Sequence, residues 1–486
     1  MGDKKIFKNY VYNLLYQIVT IILPTITTPY LSRVLGAENI GIYGYVTSIV
    51  AYFTLIGALG INKYGQREIA YVQDNVEKRS KVFWELCIIK TTTILLATCV
   101  FYFTFCINGE YSFYYKLLLL EIVATLLDIS WFFQGIENFK KVVIRNLVVK
   151  AISVILVFVL VKDQYDFVKY LLIFVLSNFL GNGIFWLDLR KHVKIVKITF
   201  KDLKRHIRPI ISLFIPQIAT SIYTVLDKTM IGNLSDSITE VGFYEQSQKI
   251  IKIALTLVTT MSIVMLPRIS NTFAKGNNGE LNKYMSKSFR FGLFLSLPIV
   301  FGIIAIAPNL VPWFFGKGYE KIINLLIIGS PIIIFISFST TIGTQYLVSV
   351  KKQNVQTVAV VTGAIINCIL NFILIPIYDS IGATIATIIA EFCITSIEII
   401  YIVKKKIISL KDIFSGMFKY TIAAIIMYAC VRIISNFLQV GVIYTAMQIL
   451  LGAVVYLGLL FILKDEFLIN IVKGIVKNKS RKDLNT

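Results

Sequence analysis

Three charged residues share one face of a predicted helix near the middle of the chain, and they are the clearest candidates for chemistry. Glu245, Lys249 and Lys252 lie at positions i, i+4 and i+7 of an apolar run, so a helix brings them to one side. Charges inside a membrane span are costly and usually face a cavity or a partner. The pattern therefore favours a cationic cavity lining that attracts anions. An interfacial face whose lysines snorkel towards water remains the alternative.

A polar stripe at helical spacing follows the preceding predicted helix. It consists of Gln217, Thr220, Thr224 and Asp227, with Lys228 beside it. A similar stripe on the first apolar run consists of Asn13, Gln17, Thr20, Pro24 and Thr27. Two such helices suggest a wet interface, and hydrogen bonding between helices in a dry bundle is the alternative. The predicted binding residues are Gln17, Gln217, Thr224 and Lys228, and the predicted moderating acids are Asp227 and Glu245.

Three arginines lie at the ends of predicted spans. Arg33 ends the first run on the predicted outer side and joins the candidate binding residues, with interfacial anchoring as its alternative role. Arg67 and Arg268 end the second and eighth runs on the predicted inner side. These two are candidates for an inner gate, and ordinary positive-inside residues are the alternative.

The sequence lacks the motifs of several common enzyme and nucleotide sites. No GxxxxGK[ST], HExxH, GxSxG or DxD pattern occurs, so neither a nucleotide-driven engine nor a metal–sugar-nucleotide site is expected. The six cysteines lie in apolar runs without a CxxC pair, and the two histidines, His192 and His206, share one basic loop. We therefore expect no enzyme activity, no cofactor and no metal site.

Long apolar helices are the elements that must position these residues. The chain has 486 residues, of which 56% are hydrophobic, and its mean hydropathy is +0.75. Runs long enough to cross about 30 Å of hydrocarbon recur throughout, which predicts an all-α integral membrane protein with about fourteen transmembrane helices. The first run is predicted to be a retained span rather than a signal peptide. We place the spans at 10–31, 40–61, 83–107, 113–135, 143–161, 167–188, 209–233, 241–268, 287–309, 322–349, 356–377, 380–403, 417–438 and 441–463.

Basic residues predict the orientation of these helices. The formal net charge is +22, and most of the 49 Lys and Arg residues fall in segments between alternate spans rather than on one folded face. This distribution argues against nucleic-acid binding. It follows the positive-inside rule, which puts both termini in the cytoplasm.

The two halves of the chain share short matches at corresponding helices. Gly41-Ile42-Tyr43 matches Gly242-Phe243-Tyr244, and Tyr165-Asp166 matches Tyr378-Asp379. Such matches predict two six-helix bundles related by a pseudo-two-fold axis along the membrane normal, which face each other across a central cavity. The predicted divisions are an N-terminal bundle (1–190), a basic cytoplasmic linker (191–208), a C-terminal bundle (209–406), and two extra helices with a basic cytoplasmic tail (407–486).

Two parts of the sequence carry a family resemblance. Pro29–Gly44 reads PYLSRVLGAENIGIYG, and a later region reads IPIY at 375–378 and IGATIAT at 381–387. They resemble the first-span signature and the junction of spans eleven and twelve in Wzx-type polysaccharide repeat-unit flippases. These flippases belong to the multidrug/oligosaccharidyl-lipid/polysaccharide exporter superfamily. The chain length, the mid-chain basic loop and the basic tail fit the same family along the whole chain.

The resemblance implies a cargo, a cycle and a location. The cargo would be a polyprenyl-pyrophosphate-linked oligosaccharide, moved from the inner to the outer leaflet of the bacterial cytoplasmic membrane for a capsule-like surface polysaccharide. The two bundles would form a V and alternate between inward-open and outward-open states. Membrane lipids and other proteins of polysaccharide assembly would be its partners. Arg33 matches the arginine of the family pattern, which adds to its candidacy.

Three other interpretations remain open at this point. An ion-coupled multidrug antiporter of the same superfamily would favour acidic cavity residues, which the lysine face near residue 250 argues against. A membrane-embedded glycan polymerase or ligase needs a sizeable outer loop, and the longest predicted one, about 310–321, is short. A peptidoglycan-precursor flippase is separated from the favoured family only by the first-span motif.

Overall fold

Helices and turns make up the described part of the chain, which contains no β-strand. The computed structural model describes the backbone of residues 2–470 and 473. It describes their side chains apart from those of residues 2–18, 20–22, 215–217, 219–224, 263, 264 and 278. The chain divides after Gly242 into two compact units, called unit 1 and unit 2 below.

Unit 1 is built from helices that follow one another with short connections. A π-helical turn, Tyr102–Cys106, extends the third helix, and a 3₁₀ turn, Gln164–Asp166, precedes the seventh. The α-helices are α1 (Gly2–Ala58), α2 (Ile61–Tyr71), α3 (Val76–Phe101), α4 (Ser112–Leu127), α5 (Ser130–Gly135), α6 (Phe139–Leu160), α7 (Phe167–Leu189) and α8 (Phe200–Leu234).

Unit 2 has the same character, and its first helix begins just before the boundary. A π-helical segment, Thr340–Leu347, continues the fourth of its helices. The α-helices are α9 (Thr239–Ala274), α10 (Asn278–Phe314), α11 (Lys321–Gly329), α12 (Ile332–Ser339), α13 (Gln353–Lys404), α14 (Leu410–Ile413), α15 (Met417–Ser435) and α16 (Val442–Ile462).

Many of these helices can cross a bilayer. In the part of the chain that the structure describes, 11 helical stretches are long and apolar enough to do so. The prediction of an all-α, multi-pass membrane fold is thus confirmed, and each predicted apolar run falls on a helical segment. The number of fourteen crossings and the two-fold symmetry stay predictions.

Two of the crossing helices contain an internal break. In α1 the break is Gly36, with φ 77° and ψ 169°, a conformation open to glycine because it has no Cβ. In α13 it is Asp379, with φ 52° and ψ −131°, and Asp is enriched among the few non-glycine residues with positive φ. Each of these helices therefore has two limbs, which is one reason why the structure has fewer stretches than the predicted spans.

The two limbs of α13 lie against each other. Asn367 Nδ2 donates to Thr387 Oγ1 at 3.3 Å, and a Cβ on Gly382 would collide with the carbonyl of Leu374. Such contacts require the chain to fold back at Asp379. The Asp379 carboxylate accepts a hydrogen bond from Lys321 Nζ at 3.2 Å, which ties the turn to the start of α11.

In unit 1, α2 approaches α5 closely at an aromatic core. Trp131 is fully buried and stacks on Phe83 with the ring centroids 5.6 Å apart. A Cβ on Gly65 would lie 2.5 Å from Cε3 of Trp131, and one on Gly135 would lie 2.7 Å from a methyl carbon of Ile69. The two helices can pack at this distance only because glycine occupies both positions.

We expect Gly65→Ala to destabilise the protein by about 1–3 kcal/mol, because the added methyl overpacks a buried, rigid ring. The measurement is the thermal unfolding midpoint of the purified protein in detergent. Gly183→Ala on α7 is the matched control, since a Cβ there has nothing within 4 Å. The control is expected to be neutral or slightly stabilising, because alanine favours helix over glycine. Equal midpoints for the two variants would contradict this account of the packing.

The start of α8 lies within the predicted basic linker. Asp202 accepts from the backbone and the hydroxyl of Thr199, which caps the helix, and it forms a 2.7 Å ion pair with Lys81 of α3. The Lys81 contact and the Thr199 hydroxyl hold the pKa of the Asp202 carboxyl well below its usual range. The contact therefore stabilises the fold at neutral pH, and this contribution is lost as the pH falls through the lowered pKa.

A buried polar cluster joins α2, α3 and α8 near this helix start. The Tyr64 hydroxyl lies 2.7 Å from Nδ1 of His206, and Nε2 of His206 lies 2.6 Å from Oε2 of Glu85. Arg205 also donates to Glu85 Oε2, at 2.6 Å. The side chains of Glu85 and His206 are 0% and 4% exposed, whereas that of Arg205 is 52% exposed. His206 therefore lies on α8 in a buried cluster, and the prediction that it lies in a basic loop is wrong.

In unit 2, the last helices are bound to α10 by a second polar cluster. Arg290 donates to Asp465 at 2.8 Å and to the Tyr420 hydroxyl at 3.0 Å. The Tyr456 hydroxyl donates to the carbonyl of Phe294 at 2.9 Å. The helices α15 and α16 therefore pack on α10 as part of one core. The predicted domain divisions are not tested by these contacts and stay predictions.

Candidate functional site

A polar pocket lies inside unit 1, between helices that cross the membrane. Its volume is about 470 Å³, and the second limb of α1, α4, α7 and α8 contribute to its wall. The polar lining residues are Tyr52, Thr54, Asn62, Glu121, Thr125, Asp128, Asn178 and Asn182. A pocket with this lining can hydrogen-bond a polar group that the surrounding hydrocarbon could not solvate.

Two asparagines one turn apart on α7 shape one wall of the pocket. Asn178 Nδ2 donates to both carboxylate oxygens of Glu121 on α4, at 3.0 and 3.1 Å. Asn182 Nδ2 donates to the carbonyl of Ala124 at 2.8 Å, and its Oδ1 accepts from Arg145 of α6. These bonds fix the orientation of the Glu121 carboxylate and of both amides, so the wall is preorganised.

The break between α4 and α5 forms another part of the pocket. Asp128 has an extended backbone there, and its carboxylate accepts from the backbone N–H of Ser130 at 3.0 Å. Lys90 of α3, which is 1% exposed, donates to the carbonyl of Asp128 at 2.7 Å. The break leaves that carbonyl without its helical partner, and the lysine supplies the missing donor.

A seam of hydroxyl groups joins the second limb of α1 to the end of α8. The hydroxyls of Ser48 and Thr229 are 2.8 Å apart, and the Tyr45 hydroxyl donates to Asn233 Oδ1 at 2.9 Å. Lys228 lies beside Thr229 and is half-buried, and Asp227 is buried. These two predicted residues are therefore close in sequence to the seam, whose contacts are made by Thr229 and Asn233.

The charged face predicted near residue 250 lies on α9 in unit 2. Lys249 Nζ and Glu245 Oε1 are 3.8 Å apart, and their side chains are 31% and 18% exposed. Lys252 is exposed. An ion pair of this length between partly exposed groups contributes only about 0–1 kcal/mol to stability. This pair by itself therefore adds little to the stability of the fold.

The other predicted residues are not among the residues of these features, or their side chains lie outside the described set. Arg33 is exposed on the first limb of α1. Arg67 pairs with Glu68 at 2.9 Å and lies 5.2 Å from the ring centroid of Tyr64. Arg268 is exposed and lies 4.7 Å from the ring centroid of Tyr284. The side chains of Gln17, Gln217 and Thr224 are among those outside the described set. All binding and gate roles stay predictions.

The sequence did not single out Glu121, Asn178 and Asn182. The available signal was an asparagine pair at i and i+4 within an apolar run, together with an isolated glutamate in another run. Glu121 and Asn178 lie 57 residues apart in the sequence, and only the packing of α4 on α7 brings them together. In the described residues, no group of three or more His, Cys, Asp or Glu side chains could hold a metal ion.

Two family models and curated bacterial proteins match this chain. The family model described as polysaccharide biosynthesis protein matches residues 6–273, and the MatE model matches residues 213–373. The "Putative O-antigen transporter" of Escherichia coli (strain K12) is 24% identical over 410 residues, which cover 82% of this chain and 97% of that protein. The capsular polysaccharide biosynthesis protein CapF of Staphylococcus aureus is 23% identical over 394 residues, or 79% and 96% of the two chains.

A solved structure has the same fold. Lipid II flippase MurJ in an inward closed conformation matches with a TM-score of 0.74 and 19% identity, over 93% of this chain and 99% of that chain. At this identity the likeness concerns the arrangement of the helices. The cargo has to be argued from the residues of this chain.

Proposed function

The chain belongs to the polysaccharide biosynthesis protein family, whose model spans more than half of it, and from that premise we propose that it flips polyprenyl-pyrophosphate-linked oligosaccharide units from the inner to the outer leaflet of the cytoplasmic membrane. The resemblance to Wzx-type flippases of the multidrug/oligosaccharidyl-lipid/polysaccharide exporter superfamily is confirmed. The chain is therefore a multi-pass membrane transporter and not an enzyme.

The polar pocket of unit 1 is the observation that carries this proposal. Carrying an ion alone through hydrocarbon costs tens of kcal/mol in the Born limit, and a sugar chain adds many hydroxyls that need partners. A wall of preorganised amides and a carboxylate inside the membrane, such as Asn178, Asn182 and Glu121, provides these partners. The lipid tail can meanwhile stay in the bilayer, so only the head group needs a polar path.

The roles of individual residues follow from their charge. Arg33, Lys228, Lys249 and Lys252 would attract the pyrophosphate, because cationic side chains make short, strong contacts with phosphate oxygens. Asp227 and Glu245 would keep the cations from binding too tightly for release. The pocket of unit 1 would meet the sugar hydroxyls, which are neutral and can both donate and accept.

The same proposal includes the remaining features of the transport cycle. The limbs of α1 and α13 would each make a separate crossing, which with α8 brings the number of crossings to about fourteen. Both termini would lie in the cytoplasm. Access to the cargo site would alternate between the two sides of the membrane. The chain has no nucleotide-binding motif of its own, so an ion gradient, the membrane potential or the cargo gradient would drive the cycle.

A small-molecule antiporter is the second candidate function, because the MatE model matches residues 213–373. The lysine face of α9 lies within that matched region and is cationic, which disfavours cationic drugs as cargo. The polysaccharide model covers a longer part of the chain. The flippase is therefore the better supported of the two.

Deletion of the gene in its own host tests the proposal. We expect loss of the surface polymer, together with lipid-linked oligosaccharide trapped on the inner leaflet. Both effects should be reversed when the gene is supplied again. The measurements are the amount of surface glycan and the leaflet distribution of the lipid-linked units. A normal surface glycan with altered sensitivity to cationic compounds would instead support the antiporter.

A further inference from the structure

A carboxyl group without a hydrogen-bond partner is buried in unit 2. Glu398, on the second limb of α13, is 0% exposed. Neither of its carboxylate oxygens has a hydrogen-bond partner in the described part of the chain. The Ser339 hydroxyl at the end of α12 is close to the Glu398 carboxylate, but the two groups do not have the geometry of a hydrogen bond. This group belongs neither to the pocket of unit 1 nor to the lysine face of α9.

The carboxyl faces a π-helical segment at a position where only glycine fits. A Cβ on Gly343 would lie 2.9 Å from Oε1 of Glu398 and 2.5 Å from Nε2 of Gln356 on the first limb of α13. Carboxyl, amide and glycine backbone therefore converge on one small space. Gly343 belongs to the π-helix Thr340–Leu347. Such segments are rare and frequently mark functional sites.

The charges around Glu398 do not favour its ionised form. The charged group that acts on it within the described residues is Glu391, two turns away on the same limb, and this is a like charge. The elements packed against it contribute neutral groups, namely Ser339 from α12, the backbone of Gly343 in the π-helix and Gln356 from the first limb of α13. An ionised carboxylate in this place would carry a desolvation cost that these neutral groups do not compensate. A carboxyl group in such surroundings takes up a proton instead.

We propose that Glu398, with Gln356 and Gly343, forms a proton-binding site whose proton is exchanged with water during the transport cycle. The step is the transfer of a proton from hydronium to a carboxylate oxygen, so one O–H bond forms, one breaks and no redox partner is needed. The site is closed in this structure, and movement of the π-helical segment would open it. The coupling of this proton to cargo movement rests on the function proposed above, whereas the binding of the proton does not.

The first experiment measures the proton directly. Purified wild-type protein, Glu398→Gln and the matched control Glu391→Gln are compared by infrared spectroscopy in lipid nanodiscs at neutral pH. We expect a carbonyl-stretch band of a protonated carboxyl in the wild type, loss of that band in Glu398→Gln, and its retention in Glu391→Gln. Identical carboxyl bands in the wild type and Glu398→Gln would overturn the proposal, because Glu398 would then be ionised.

A pair of glycine variants keeps the test decisive if Glu398→Gln does not fold. Gly343→Ala retains the carboxyl but crowds it, whereas Gly302→Ala places a Cβ with nothing within 4 Å. The band assigned to Glu398 is expected to shift in the first variant and to stay in place in the second. A band unmoved in Gly343→Ala would count against the site.

Transport in proteoliposomes then tests the coupling. With lipid-linked oligosaccharide as cargo, we expect an imposed pH gradient to change the wild-type rate several-fold and to leave the rate of Glu398→Gln unchanged. A variant that responds like the wild type would overturn the coupling. If the wild type moves no cargo under any gradient, the proposed function fails, and the infrared result still decides whether the proton site exists.

Discussion

Replacing Lys249 and Lys252 together by glutamine is expected to reduce export of the surface polymer by about tenfold for each lysine removed. A charge-assisted contact contributes about 1.5–3 kcal/mol, and 1.4 kcal/mol corresponds to a factor of ten. Both lysines reach solvent, since Lys252 is exposed and the side chain of Lys249 is 31% exposed. The loss should therefore appear in transport and leave the stability of the protein nearly unchanged.

The measurement is made in the deletion strain carrying each variant on a plasmid. Surface glycan and lipid-linked intermediates are quantified, and the amount of protein in the membrane is checked in parallel. Lys275→Gln combined with Lys283→Gln is the matched control, because it removes the same charge from two exposed lysines of unit 2 that lie off the α9 face. Normal polymer in the Lys249/Lys252 variant, at normal protein level, would exclude the cationic face as the phosphate-binding site.

The second large effect is expected on stability, from Glu85→Ala in the cluster with His206. Removing one partner of a buried, hydrogen-bonded charge cluster costs about 3–5 kcal/mol, because the remaining groups stay buried without a partner. His206 is 4% exposed and would lose the acceptor that lies 2.6 Å from its Nε2. We therefore expect a clearly lower thermal unfolding midpoint for the purified variant in detergent.

Arg205→Gln is the matched control for this variant. Arg205 bonds to the same carboxylate oxygen at 2.6 Å, but when it is replaced Glu85 keeps its 2.6 Å contact with Nε2 of His206, so the buried carboxylate still has a partner. The loss of Arg205 is expected to cost only about 1 kcal/mol or less. Equal shifts of the midpoint in the two variants would mean that burial does not decide the strength of this cluster.

The sequence was sufficient for the fold class and for the family, because both depend on features that are local in the chain. A helix that crosses a membrane must satisfy its own backbone hydrogen bonds and present an apolar surface, so length and hydropathy alone reveal it. The family motifs around Arg33 and Gly382 are likewise short and contiguous. The same locality explains why the α9 face of Glu245 and Lys249 was correctly placed on one side of a helix.

The rest of the site depends on contacts between helices that a single sequence does not reveal. Lys90 lies within the predicted span 83–107, and it donates to the carbonyl of Asp128, which is available only because α4 ends there. The pairing of Glu121 with Asn178 requires the packing of α4 on α7. The basic residues around His206 predict a loop, whereas α8 begins at Phe200 and carries His206 into a buried cluster.

The fold-back of α13 at Asp379 has a consequence for how the protein is made. Its limbs touch through residues close in sequence, such as Asn367 with Thr387, 20 positions apart. Contacts between residues near in sequence form quickly, because little chain entropy is lost in closing a short loop. The two limbs of α13 can therefore enter the bilayer as one preformed helical hairpin during synthesis. In that hairpin the buried amide of Asn367 already has the Thr387 hydroxyl as a partner before the later helices α15 and α16 emerge from the ribosome.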